Sequence, residues 1–129
     1  MYARRGLPGR TAAPARRIGT VTSIFSRILA GDIPGEILHE TDRVFVLRDI
    51  APKAPVHLLV IPKSEQYANV VELAAGDPAL LAEMVAVAGE VARGDFRLVF
   101  NTGESAGQTV FHVHAHVLAG GLSEGSLGD

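Results

Sequence analysis

Residues 111–118 read FHVHAHVL, and this short run holds three of the chain's five histidines, His112, His114 and His116. Successive side chains of a β-strand point to opposite faces. The spacing therefore predicts a strand with three imidazoles on one face and Val113, Ala115 and Val117 on the other. The aliphatic face suits burial beneath a helix. The imidazole face is costly to bury without hydrogen-bond partners.

Three readings compete for that row. The bland one is a partly exposed sheet face with no role, a common fate for one histidine but a poor account of three. The second is a metal site. Positions 112 and 116 lie about 13 Å apart along a strand, and a zinc–nitrogen bond spans only about 2.0 Å. One straight strand thus cannot bring all three rings to one ion; two of them with His57 or a carboxylate could. The third is a row of nitrogen groups facing a phosphate. A neutral imidazole is a good nucleophile near pH 7, and its neighbours can donate to non-bridging oxygens where charge must be held. This chemistry requires no cofactor, and zinc is an option it does not need.

The preceding segment, GESAGQT at 103–109, favours the third reading. Gly103 and Gly107 permit positive φ and close backbone approach. Successive N–H groups in such a loop can cradle an anion, while Gln108 and Thr109 add an amide and a hydroxyl.

Upstream, Ile24, Phe25, Ile28 and Leu29 follow helical spacing, with Ser23 as N-cap and Gly31 and Pro34 as the stop. Strands are expected at 36–39, 43–48 and roughly 55–61, the last fenced by Pro52, Pro55 and Pro62. A helix follows Asp77 and Pro78. Its apolar stripe is Leu80, Leu81, Met84, Val87, Ala88 and Val91, and Gly94 ends it. A fourth strand spans 95–101 and a fifth 110–118. Hairpins beneath a helix predict an α+β fold, a five-stranded antiparallel sheet with two helices.

The 129 residues suit one domain. No cysteine is present, which excludes a disulfide scaffold or zinc–thiolate site and fits a reducing, cytoplasmic setting. No apolar run reaches the roughly 18–20 residues of a membrane helix. Arg4, Arg5, Arg10, Arg16 and Arg17 precede the first acid, Asp32. From residue 18 onward, 7 basic side chains face 14 acidic ones, a formal −7. So acidic a body argues against a broad nucleic-acid surface. Residues 1–22 read as a disordered Arg-rich tail and 122–129 as a flexible end, around a domain at 23–121.

Taken together, GQTVFHVHAHVLAG (107–120) resembles the signature of the histidine-triad superfamily. The stretch IFSRILAGDIPGEILHETDRVFVLRDIAPKAPVHLLVIPK (24–63) resembles the N-terminal half of its Hint branch, the purine nucleoside phosphoramidases. The resemblance implies a homodimer with a continuous sheet and a purine nucleotide ligand such as AMP or GMP or its phosphoramidate. His114 would attack the α-phosphate of a nucleoside 5′-phosphoramidate, forming a nucleotidyl-histidine that water then cleaves. His112 and His116 would orient His114 and hold phosphate oxygens, with His57 as a fourth histidine. Asp49 would bind ribose hydroxyls, and Asn101, Gly107, Gln108 and Thr109 would surround the phosphate and leaving group. Thr109 stands where serine is usual. Phe25, Ile28, Ile33, Leu47 and Ile50 would sandwich the base; each fits ordinary core packing equally well. His39 lies outside every motif. The turn before the fourth strand is short, the ending lacks tryptophan, and the arginine-rich start has no family counterpart. Two rivals are dinucleoside polyphosphate hydrolysis and a nucleotide-binding regulatory module with vestigial activity.

Overall fold

A computed structural model describes residues 22–124. The expected disordered tail falls almost wholly outside them, as do the last five residues of the expected flexible end. The elements run α1 (Ile24–Leu29), β1 (Ile37–Glu40), β2 (Val44–Arg48), β3 (Val56–Pro62), α2 (Val70–Gly76), α3 (Pro78–Ala92), β4 (Arg97–Val99) and β5 (Ala115–Ala119). A 3-10 turn occupies Glu104–Ala106. The strands form one antiparallel sheet in the order β1-β2-β3-β5-β4.

The α+β expectation holds, with one helix more than the two expected. That helix, α2, opens on Asn69, whose side chain accepts from the Glu72 N–H, while Glu72 accepts from the Ala68 N–H. Such reciprocal capping is the signal in the sequence, an Asn followed three residues later by Glu. The β-branched start and the small, Gly-containing end of VVELAAG conceal it from periodicity alone. Gly76 is required there, because a Cβ would come within 2.5 Å of the Tyr67 ring.

Each face of the sheet has its own core. Val44, Val46, Leu58, Val60, Val113, Ala115 and Val117 lie on one face and pack under Leu80, Met84, Val87 and Ala88 of α3. This is the aliphatic side of the histidine segment, placed beneath a helix as its alternation required. On the opposite face, Phe45, Leu47, Leu59 and Ile61 meet Phe25 of α1. Only six residues long, α1 covers one end of that face. His57 and His116 stand on the same face at the other end, since His57 pairs with Leu118 and His116 with Leu59.

The fifth strand is shorter than expected, so the three histidines do not share one regular strand. The β3–β5 ladder stops at the Val60–Ala115 pair. Beyond it, Pro62 has no N–H to offer, and its carbonyl accepts from the His112 ring at 2.7 Å. The Val113 N–H turns to Tyr67 O at 3.0 Å. His112 and His114 therefore sit in an irregular extended lead-in, while the in–out alternation of side chains persists.

Candidate active site

His112 is 1% exposed. Its Nε2 lies 2.7 Å from Pro62 O, a pure acceptor, so Nε2 carries the proton. Its Nδ1 then accepts from the Ser23 hydroxyl at 2.6 Å. Ser23 is also the N-cap of α1, accepting from the Ser26 N–H at 3.1 Å. Both ring nitrogens of His112 are thus committed to the protein, and its ring holds no phosphate oxygen. It acts through its carbonyl, which accepts from His114 Nδ1–H at 2.9 Å. With that proton fixed on Nδ1, neutral His114 presents a bare Nε2. The Phe25 ring packs edge-on against His114 at 4.8 Å between centroids, and His116 does so at 5.2 Å.

Burial pushes all three rings toward the neutral form. Desolvation lowers the His112 and His114 pKa values below the usual 6.5. His116 falls to about 4, through burial first and then through its neighbours His114 and His57. A buried, neutral imidazole with a free nitrogen has the state a nucleophile needs.

His57 is 5% exposed. Its Nδ1 accepts from the Lys53 N–H at 2.9 Å, and its Nε2 lies 2.9 Å from His116 Nδ1 and 3.3 Å from an Asp49 carboxylate oxygen. The other Asp49 oxygen accepts from the Ala51 N–H at 2.8 Å.

A cavity of about 390 Å³ opens over these groups. Asp49, His57, His114 and His116 line it, together with Lys53, Asn101, Gly107 and Thr109. The phosphate-side residues expected from the sequence thus converge, apart from two. Gln108 is buried, and its amide is used up: it accepts from the Gly103 N–H and donates to Ala68 O and Val110 O. The second is the ring of His112. Nor do the loop amides of Gly103, Ala106, Gly107 and Gln108 cradle an anion, since all four bond within the loop. Asn101 clasps the same loop through Ala106 O at 3.0 Å.

The apolar residues expected to grip a base divide. Phe25 and Leu47 belong to the α1 core, and Ile28 packs against it. Ile33 is half-buried, and Ile50 is 94% exposed. None of the five lines the cavity. Ser23, Lys53 and the Pro62 carbonyl were missed as site groups. Of these only Ser23 left a trace in the sequence, as a cap.

One ligand atom each from Asp49, His57 and His116 lies within 4.8 Å of the others, the spacing a metal ion would ask for. The hydrogen bonding does not fit. A ligating His57 Nε2 would have to be bare, moving its proton to Nδ1, where the Lys53 N–H already points. Metal-bound histidines instead donate from their second nitrogen.

Residues 22–128 match the model of the family described as scavenger mRNA decapping enzyme C-terminal binding. An uncharacterized HIT-like protein of Synechococcus elongatus is 42% identical over 103 residues, 76% of this chain and 90% of that one. The chain belongs to the histidine-triad family. The purine nucleoside phosphoramidase of Escherichia coli K12 is another relative, 36% identical over 76% of this chain and 87% of its own. Among solved structures, a HIT family hydrolase from Legionella pneumophila superposes with a TM-score of 0.72. It is 36% identical and covers 78% of this chain and 95% of its own length. Among the described residues, no helix is long and apolar enough to cross a membrane.

Proposed function

We propose that this histidine-triad protein is a nucleotidyl hydrolase that cleaves purine nucleoside 5′-phosphoramidates. The observation that carries the reading is the His114 Nδ1–H bond to His112 O, which leaves Nε2 bare in a neutral ring at the cavity. His114 Nε2 attacks the α-phosphorus. The phosphorus–nitrogen bond breaks, its electron pair goes to the nitrogen, and the amine leaves with a proton taken up from solvent. Water then attacks phosphorus, and the bond to His114 Nε2 breaks with its electron pair returning to nitrogen. The nucleoside monophosphate leaves as the water's proton returns to solvent, restoring His114.

The remaining groups hold rather than react. Asp49 accepts from ribose hydroxyls. Thr109 and Asn101 stand beside the leaving group, and His116 donates to a non-bridging oxygen, where charge is held in the transition state. No metal enters this account. AMP- or GMP-type ligands, a cytoplasmic setting and a homodimer complete the proposal; the phosphoramidase activity of the E. coli relative supports the substrate class.

The decisive experiment is to quench turnover of adenosine 5′-phosphoramidate and map the adduct. A nucleotidyl group on His114, with hydrolysis abolished and AMP binding retained in His114→Ala, is expected. Unchanged turnover in that variant would refute the assignment. Faster cleavage of a diadenosine polyphosphate would move the protein to the polyphosphate chemistry. Tight AMP binding with no adduct would make it a binding module.

A further inference from the structure

The loop joining β2 to β3 carries a device whose donor is a backbone group, the peptide N–H of Lys53. Asp49 opens it, donating its N–H to His57 O at 3.1 Å and accepting from the Ala51 N–H. Pro52 and Pro55 fix φ on either side of Lys53. The folded loop aims the Lys53 N–H at His57 Nδ1, 2.9 Å away.

That one bond settles two rings. An N–H can only donate, so His57 Nδ1 is bare and its proton sits on Nε2. His57 Nε2–H is 2.9 Å from His116 Nδ1, which must therefore be the acceptor. Neutral His116 then keeps its own proton on Nε2. The opposite arrangement, with His116 Nδ1 donating to His57 Nε2, would force a proton onto His57 Nδ1 against the peptide N–H. In that arrangement His116 would offer a lone pair instead of a donor to an anionic phosphate, turning an attraction into a repulsion.

We propose that the peptide N–H of Lys53 is a positioning group of this site, holding His57 and, through it, His116 in the tautomer protonated on Nε2. The tautomer assignment stands on the hydrogen bonds alone. Its consequence for turnover rests on the phosphoramidase reading. Asp49, 3.3 Å from the same His57 Nε2–H, offers that proton a second acceptor, so the ribose side and the phosphate side of the site share it.

The test is a through-hydrogen-bond ¹⁵N–¹⁵N coupling spectrum of the full-length, ¹⁵N-labelled protein at neutral pH. Couplings from Lys53 N to His57 Nδ1 and from His57 Nε2 to His116 Nδ1 are expected, with both Nδ1 atoms unprotonated. A proton on Nδ1 of either ring would overturn the proposal, whatever the protein hydrolyses. Intact couplings without phosphoramidate turnover would instead sink only the functional reading. Lys53→Pro, which removes the N–H, should lower kcat roughly tenfold with little change in KM. In a His57→Gln background, where a side-chain amide supplies the donor to His116, the same proline should have a clearly smaller effect. Equal losses in both backgrounds would show that the proline merely disturbs the loop. If the proline variant does not fold, the couplings in the unmodified protein still decide the matter.

Discussion

The two faces of the sheet are built to opposite specifications. Beneath α3 the buried layer is apolar throughout: Val44, Val46, Val60, Val117 and Ala88 are fully buried, and Leu80, Met84 and Val87 complete the layer. The other face is apolar only where α1 reaches it. Past Phe25 and Leu59 it carries His57, His114 and His116 around an open cavity. The first face is held by burial, which is non-directional and tolerant of slight shifts. The second is held by short, directional bonds to backbone groups and, for His116, to the His57 ring, so each ring has one tautomer and one orientation. Stability and chemistry are thus assigned to opposite sides of one sheet, and the contrast can be tested from either side.

The largest expected change in stability is on the α3 face. Met84→Ala should cost about 2–5 kcal/mol in urea denaturation through lost burial and a residual cavity. Turnover per folded molecule should be unaffected. A comparable loss of turnover would mean that the two faces are coupled, and the contrast would fail.

The histidine face should reveal itself by pH. His112, His114 and His116 have folded-state pKa values below the unfolded 6.5, that of His116 about 4. The unfolded chain therefore binds more protons as pH falls. Their contribution is fully present above pH 6.5 and is lost on descent toward pH 4. For His116, partly exposed, the loss is at most about 3 kcal/mol before solvent screening reduces it. Urea midpoints at pH 7.5 and 4.5 should differ, and Met84→Ala should show the same difference, offset in parallel. A midpoint that does not change with pH would remove the claim that these rings are buried neutral.

A pair of helix caps sharpens the comparison at a smaller scale. Ser23→Ala removes the cap of α1 and also leaves His112 Nδ1 without its donor, a combined loss of about 2 kcal/mol. It should also lower turnover, because the His112 carbonyl positions His114. Asn69→Ala removes only the cap of α2, which leads into the α3 layer, at about 1 kcal/mol. Thermal melts and initial rates on the same samples separate the two. Equal effects on rate would show that Ser23 does no more than cap.

The strongest signals in the sequence were those with a period. Alternation at 112–117 assigned Val113, Ala115 and Val117 to a helix-covered face. The stripe from Leu80 to Val91 named the helix that covers them. Where period and packing diverged, the reading fell short. Three histidines spaced like a strand implied that both outer rings would face the phosphate, yet the ladder ends at Ala115 and the first ring turns inward to Pro62 O. Gln108, chosen for its amide beside glycines, spends that amide on Gly103, Ala68 and Val110.

Residue type and spacing alone determined the helix stripe and the histidine face, because these depend on local geometry that each segment carries with it; the acid at position 49 was marked only by the family resemblance. Only the folded chain decided that β5 lies between β3 and β4, which brings His57 beside His116 across 59 positions of sequence. It also decided which peptide groups, Lys53 N–H, His112 C=O and Pro62 C=O, fix the proton on each ring. Nearly every residue carries the same backbone donor and acceptor, so the sequence has no mark for the ones that matter. Their role comes from where the chain puts them.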